Sequence, residues 1–402
     1  MASNSVWGQK SLISKADELF NAKRFAEAIP LYTEALELDQ NKSVLKKLGD
    51  SYRMINKNED ALEHYEILMA QPDVKPRIYL TYVELLILNE NYKKAEKYLS
   101  NFRNTQGFTQ EFFGLKSIIN NHHTIKPLFE NVSISPFPFN TPNFDENSPF
   151  FTKSVFIFSS DRTKMKTSLK KKSGWTGRGY YQIWSSKLNG QSFDKPTQYN
   201  DALNSSQKNT ANAYIDFKNQ EVLFTRNDNQ KDKSDFFNMQ LYSCKIKKGK
   251  FSKSQKLPVC NTEYNYMHAC VSPDGQELYY VSDRPGQGGT DIFMSKRTSE
   301  GWTRGKNLGD IINTKNNEGF PFIDHDGNLY FCSKGHSGLG GYDIYISVKD
   351  ADGAWSLPKN IGRPFNGPHD DFSIHISKSG KGAFCSSRNG SDDIYLFQLS
   401  EK

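Results

Sequence analysis

Residues 279–295 read YYVSDRPGQGGTDIFMS: an apolar β-branched and aromatic run, a loop holding one proline and three glycines, and a second such run. A loop of this kind suits either a bound phosphate or a tight turn, because glycine allows positive φ and close backbone approach. A phosphate loop needs a G-K-[ST] ending or a following helix. Here TDIFMSK (290–296) reads as a strand, so the stretch is a strand–turn–strand unit.

The unit recurs. YFCSKGHSGLGGYDIYIS (330–347) and AFCSSRNGSDDIYLF (383–397) repeat it closely, and FIFSSDR (156–162) with YYQIWSS (180–186) and LFTRNDNQKDKSDFFNMQLYS (223–243) repeat it with longer loops. A second mark, Asn after an apolar residue and before a small one, falls at Asn140, Asn204, Asn261, Asn313 and Asn366, with spacings of 64, 57, 52 and 53. A period near 50 with four short strands per unit predicts a five-bladed β-propeller over residues 124–402, six blades being the alternative. Within one blade the strands are expected at MHACVS (A), LYYVS (B), DIFMSK (C) and GWTRGKNL (D), with PDGQ as the A–B turn. The last unit ends after its C strand, and a D-like segment precedes the first. Residues 124–139 are therefore expected to complete the last blade and close the ring.

Upstream the apolar period is helical. ADELFNAKRFAEAIPLYTEALELD (16–39), LGDSYRMINKNEDALEHYEIL (48–68) and YVELLILNENYKKAEKYLSNF (82–102) share small and aromatic positions, with Ala28, Ala61 and Ala95 spaced 33 and 34 apart. Residues 11–123 are thus expected to form stacked helical hairpins, closed by a capping helix in TQEFFGLKSIINNHH (109–123), after a disordered stretch at 1–10. Val83 replaces the small residue found at Ala16 and Gly49, which predicts looser packing of the third hairpin. Asp17, Phe20, Asn21, Asp50, Arg53, Met54, Glu84 and Ile87 share the first-helix face and are the candidate lining of a partner-binding groove.

The net charge of +7 among 402 residues is too mild to imply nucleic acid, and no window approaches the roughly 18 apolar residues of a membrane span. The five cysteines show no metal spacing and read as core residues, with Cys260 and Cys270 open to pairing in an oxidising compartment. No G-x-S-x-G or H-E-x-x-H occurs, and neither a cofactor nor a catalytic or metal set is expected; His268 and His375 fall on inner strands, where either could line the channel and where a core or channel histidine is expected rather than a general base. The A-strand cores YIDF, HACV, FPFI and SIHI are poor in acids, Asp216 excepted. The B–C loops and D–A joins share one propeller face. Arg284 and Arg388 lie there, as does the blade 1 insertion carrying Arg162, Lys164, Lys166, Lys170, Lys171, Lys172 and Arg178, which reads either as an anion-binding loop or as a solvated one. Asp283 with Asp291, and Ser387 with Asp393, are expected to fasten their hairpins to turn amides.

The helical units resemble tetratricopeptide repeats. FSSDR, SPDGQELYYVSDRPGQGGTDIF and DDIYLF resemble TolB-like propeller repeats. In that order, over residues 11–398, the chain resembles the front part of the OmpA-family periplasmic proteins of Bacteroidota, including the PorE-like class associated with type IX secretion and gliding. The resemblance implies a non-enzymatic, outer-membrane-associated periplasmic scaffold that binds other envelope proteins. The opening MASNSVWGQK has neither a basic n-region nor an apolar core, which reads as a cytoplasmic protein or as a mature region; the family's lipid anchor and peptidoglycan-binding domain are expected outside these residues. A different class, a carbohydrate-binding or glycosidase-like propeller acting on envelope polysaccharide, is the alternative; it predicts a facing carboxylate pair in the channel.

Overall fold

The computed structural model describes residues 2–162, 172–173, 175–190, 192–200, 202–205, 207–228, 230–231, 233 and 237–399. Contacts divide the chain into a unit of residues 1–124 with 163–179, and a unit of 125–162 with 180–402.

The first unit holds seven helices among the described residues: α1 (Ala2–Asn21), α2 (Phe25–Leu38), α3 (Lys42–Met54), α4 (Asn58–Met69), α5 (Pro76–Leu88), α6 (Tyr92–Gln106) and α7 (Gln110–Thr124). They form an α-solenoid. Helix α1 starts at Ala2, so residues 2–10, expected to be disordered, are helical. Local chemistry sets several ends: the Asn41 side chain accepts from the amides of Ser43 and Val44 at 2.9 and 3.3 Å, Pro76 opens α5, and Gly107 at φ +75° stops α6. Small residues permit the packing. A Cβ on Gly49 would lie 2.7 Å from the Tyr65 ring, so α3 and α4 meet through a glycine. Val83 is fully buried in one cluster with Leu86, Ala95 and Leu99; its larger side chain fills the third hairpin, and the looser packing expected there is not found. Helix α7 adds Phe112, Leu115 and Ile119 to that cluster, as a cap should.

The second unit is a five-bladed β-propeller. Blade 5 is closed by β1 (Ile134–Pro136), the expected N-terminal clasp. Blade 1 is built from β2 (Glu146–Phe151), β3 (Val155–Ser160), β4 (Gln182–Asn189), β5 (Ser192–Phe193) and β6 (Thr197–Gln198). Blade 2 has β7 (Thr210–Asp216), β8 (Glu221–Asn227), β9 (Met239–Lys247), β10 (Lys250–Phe251) and β11 (Gln255–Lys256). Blade 3 has β12 (Tyr266–Val271), β13 (Glu277–Ser282), β14 (Asp291–Thr298), β15 (Gly301–Trp302) and β16 (Lys306–Asn307). Blade 4 has β17 (Glu318–Ile323), β18 (Leu329–Ser333), β19 (Asp343–Ser347) and β20 (Lys359–Asn360). The last blade continues as β21 (Asp371–Ile376), β22 (Lys381–Ser386) and β23 (Asp393–Gln398), against which β1 pairs antiparallel with Ile134 opposite Phe397. That pairing removes the exposed edge of the last blade. In blade 3 the D strand splits into β15 and β16, which pair with opposite ends of β14. All five thiols are free, so Cys260 and Cys270 do not form the disulfide that an oxidising compartment would allow.

Candidate functional site

Three sets of five equivalent residues hold the ring together and shape its centre. The Asn mark proves to be a clip that fastens each D–A join to the C strand of the blade it leaves. Asn140, Asn204, Asn313 and Asn366 each accept from and donate to one backbone unit of a neighbouring C strand: Ile394, Ile183, Ile292 and Ile344, at 2.7–3.1 Å. The side-chain amide thus stands in for an absent D-strand residue. In blade 3 the register differs from the sequence reading. Cys260, not Asn261, faces Leu241, taking its N–H at 3.4 Å on sulfur, while Asn261 accepts from the amide of Glu263.

The second set was not singled out from the sequence. The residue just before each A strand is Asp145, Asn209, Asn265, Asn317 or Asp370. Its side-chain oxygen takes the N–H at a C-strand entrance, from Asp392, Tyr181, Met239 and Tyr342 respectively, or at Asn317 the Thr290 hydroxyl. Five Asp or Asn residues spaced 64, 56, 52 and 53 apart were available as a signal. Also missed were the acids that open the A strands. Glu146 accepts from Thr141 N and Ser160 Oγ at 2.8 Å and meets Arg162 at 2.7 Å. Glu318 accepts from Thr314 N and Ser333 Oγ, and Asp371 accepts from Gly367 N and meets Arg388 at 2.9 Å. Burial pushes these carboxyls up, Asp371 to about 6.

These contacts reassign the arginines expected on a partner-binding face. Arg388 donates to the carbonyls of Phe365 and Pro364, pairs with Asp371, and lies over Phe384 and Tyr395. Arg162 donates to the Phe139 carbonyl and Ser160 Oγ and lies over Phe158 and Trp184. Arg284 donates to the Gly305 carbonyl with its guanidinium 3.9 Å from the Phe293 ring centroid. All three brace the blades, because a guanidinium offers several donors and an aromatic-compatible face. Of the hairpin fasteners, Asp291 takes the amides of Gln287 and Gly288, as expected. Asp283 instead takes the amide of Asn265, Ser387 takes that of Asp370, and Asp393 accepts from the Ser391 hydroxyl at 3.4 Å.

Lys164, Lys166, Lys170 and Lys171 lie outside the described residues. Lys172 is exposed, and Ser173 N donates to Arg178 O at 2.7 Å. The described residues of this insertion group with the helical unit, where Trp175 packs edge-on to Phe25 at 4.9 Å and donates to the Met54 carbonyl at 2.7 Å. The described end of the loop expected to meet an anionic surface is thus engaged with helices.

On the helical groove face the candidates part into two groups. Asp17 accepts from Tyr32 OH and pairs with Lys47; Asp50 is buried, accepting from Tyr65 OH and pairing with Lys46. Each links the first helix of a hairpin to the second, and Ile87 is core. Asn21 is exposed; Phe20, Arg53, Met54 and Glu84 keep partial exposure, with Arg53 and Glu84 3.4 Å apart.

The third set lines the channel. Each A strand carries a one-residue bulge, and the bulged residues Ser148, Asn212, His268, Phe320 and Ser373 all have φ between +49° and +55°. A non-glycine residue in this region costs roughly 1–2 kcal/mol. All five line one cavity of about 50 Å3, with Phe150, Tyr214, Cys270, Phe322 and His375 among its other walls. Burial pushes the His375 imidazolium down to about 3 and displaces His268, which keeps some exposure, in the same direction. Of the core and channel readings of these two histidines, the channel one holds for both, and both are uncharged near neutral pH.

No family model matches the chain, and no curated protein does either. Among solved structures 170 chains match. The chain is similar to a glycoside hydrolase at 10% identity, covering 73% of this chain and 96% of that one with a TM-score of 0.44. A puromycin-hydrolyzing peptidase of Mycobacterium tuberculosis matches at 10% identity and a TM-score of 0.35 over 63% of this chain, which spans 36% of the peptidase's length. A TolB-like protein of Agrobacterium tumefaciens matches at 17% identity over 63% of this chain and 76% of that one, TM-score 0.36. At these values none of them bears on substrate, partner or chemistry; the structural neighbours of this five-bladed chain include a TolB-like propeller.

Proposed function

We propose that the chain is a non-enzymatic protein-binding scaffold of the bacterial outer-membrane envelope, on its periplasmic side, serving type IX secretion and gliding machinery. The observation that carries the reading is the groove face of α1, α3 and α5, where Asn21, Phe20, Arg53, Met54 and Glu84 remain accessible while Asp17 and Asp50 set the helices behind them. A row of partly exposed apolar and charged side chains on a rigid solenoid suits an extended or helical segment of another protein. The envelope setting follows from the resemblance of the repeat order to OmpA-family proteins. The channel lining of hydroxyl, amide, imidazole and aromatic groups favours binding over glycoside cleavage, which uses paired carboxylates.

The test is capture from an envelope extract by the full chain and by a variant with Asn21, Arg53 and Glu84 changed to Ala. A protein held by the first and released by the second is expected. Equal capture by both removes the groove from the account, and no specific capture by either removes the scaffold reading.

A further inference from the structure

The channel collar costs backbone strain five times over, and not one of the five bulged residues is the glycine that would relieve it. Four of the five carry polar side chains, which converge with His375 on a single cavity. His268 Nδ1 faces the amide of Phe320 at 3.4 Å, and His375 Nδ1 faces the amide of Phe151 at 3.4 Å. A ring nitrogen that accepts a backbone N–H cannot carry the proton of a neutral imidazole, so each ring bears it on Nε2. No protein acceptor meets either Nε2 among the described residues. Asn212 donates its amide N–H to Ser148 Oγ, which in turn donates to Asn147 Oδ1, and Ser373 adds a hydroxyl.

The cavity thus offers donors that lack acceptors. A bare cation finds no carboxylate on its walls, and an apolar ligand would strand the imidazole N–H groups, whereas an anion accepts from all of them. One water needs about 10–15 Å3 of such space, so about 50 Å3 admits a few waters or an anion of three or four heavy atoms.

We propose that the propeller channel is a binding site for one small carboxylate anion of formate size, held by His268 and His375 as neutral Nε2–H donors with Ser373 as a third. A ligand this small is held no tighter than roughly submillimolar. Aromatic rings flank both imidazoles, Phe150 and Phe322 against His375 and Phe320 stacked 3.7 Å from His268.

The experiment titrates sodium formate, sodium chloride and uncharged formamide separately into the full chain at pH 7, reading the imidazole nitrogens by NMR. The expected result is a saturable shift of both Nε2–H signals with formate, weaker with chloride and absent with formamide. His375→Phe, which suits a pocket already lined by Phe150, Phe151 and Phe322, should weaken formate binding at least tenfold. Ser373→Gly, which relieves the +54° φ, should fold at least as well as the parent chain and bind formate more weakly. Waters alone in the cavity would leave both signals unmoved by formate. That result overturns the proposal, as does an equal response to formamide, or unchanged binding in both variants.

Discussion

The helical array and the propeller use their repeated polar residues differently. On the solenoid, Arg53 and Glu84 face each other 3.4 Å apart with side chains 37% and 45% exposed. In the propeller, Arg388 meets Asp371 with side chains 24% and 1% exposed, and two backbone carbonyls and two aromatic rings complete its surroundings. An exposed pair exchanges partners at little cost, whereas a buried one cannot be opened without stranding a charge. The arginines repeated on the propeller face are therefore poor guides to its partners, while the exposed Arg53–Glu84 pair on the solenoid groove remains available to one.

The largest test of this contrast is Arg388→Ala. It leaves Asp371 buried and unpaired, and equilibrium unfolding should show a loss of about 3–5 kcal/mol. A loss under about 1 kcal/mol would return Arg388 to the partner-binding face. Gly49→Ala probes the solenoid, since its Cβ would meet the Tyr65 ring at 2.7 Å. Overpacking should cost about 1–3 kcal/mol of helical stability, read by circular dichroism.

Acid–base behaviour gives a smaller effect. Burial pushes the Asp343 carboxyl up to about 8, with the neighbouring Asp371 charge adding to it. The folded chain then keeps a proton that an unfolded carboxyl gives up near pH 4, so the stability it confers is complete in acid and is lost as pH rises through about 8. The neutral channel histidines act in the opposite direction, but only below their unfolded value near 6.5. Between pH 6.5 and 8.5 the melting temperature should therefore fall by a few degrees, and Asp343→Asn, which mimics the protonated acid, should flatten that fall. A slope unchanged in the variant would place the ionisation elsewhere. Smallest in stability is Arg53→Ala, at most about 1 kcal/mol, yet it should weaken capture of a partner that the Arg388 surroundings do not touch.

The fold was legible because both halves repeat. Small residues at fixed helical spacing announced the hairpins, and the strand–glycine loop–strand unit announced the blades, including the clasp now seen as β1 on β23. What escaped were roles that depend on which atom faces which. Cys260 occupies the clip position beside an Asn that looked like the mark, because one residue of register is invisible when both neighbours fit the pattern. The acids Glu146, Glu318 and Asp371 escaped because they stand at the first position of the A strands, outside the strand cores searched for carboxylates. The bulges at Ser148, Asn212, His268, Phe320 and Ser373 had no common residue type to give them away; only backbone geometry unites them. Asp17 and Asp50 shared a face with the true surface residues, and it took Tyr32 and Tyr65, each 15 positions later, to show that they look inward.

Whether the groove or the propeller face receives a partner is most directly read by placing a photo-crosslinking amino acid at Asn21 and, separately, at Arg284 in the protein expressed in its native host. The account predicts one discrete protein adduct from Asn21 and none from Arg284, whose side chain braces its own blade. An adduct from position 284 with none from position 21 would contradict it.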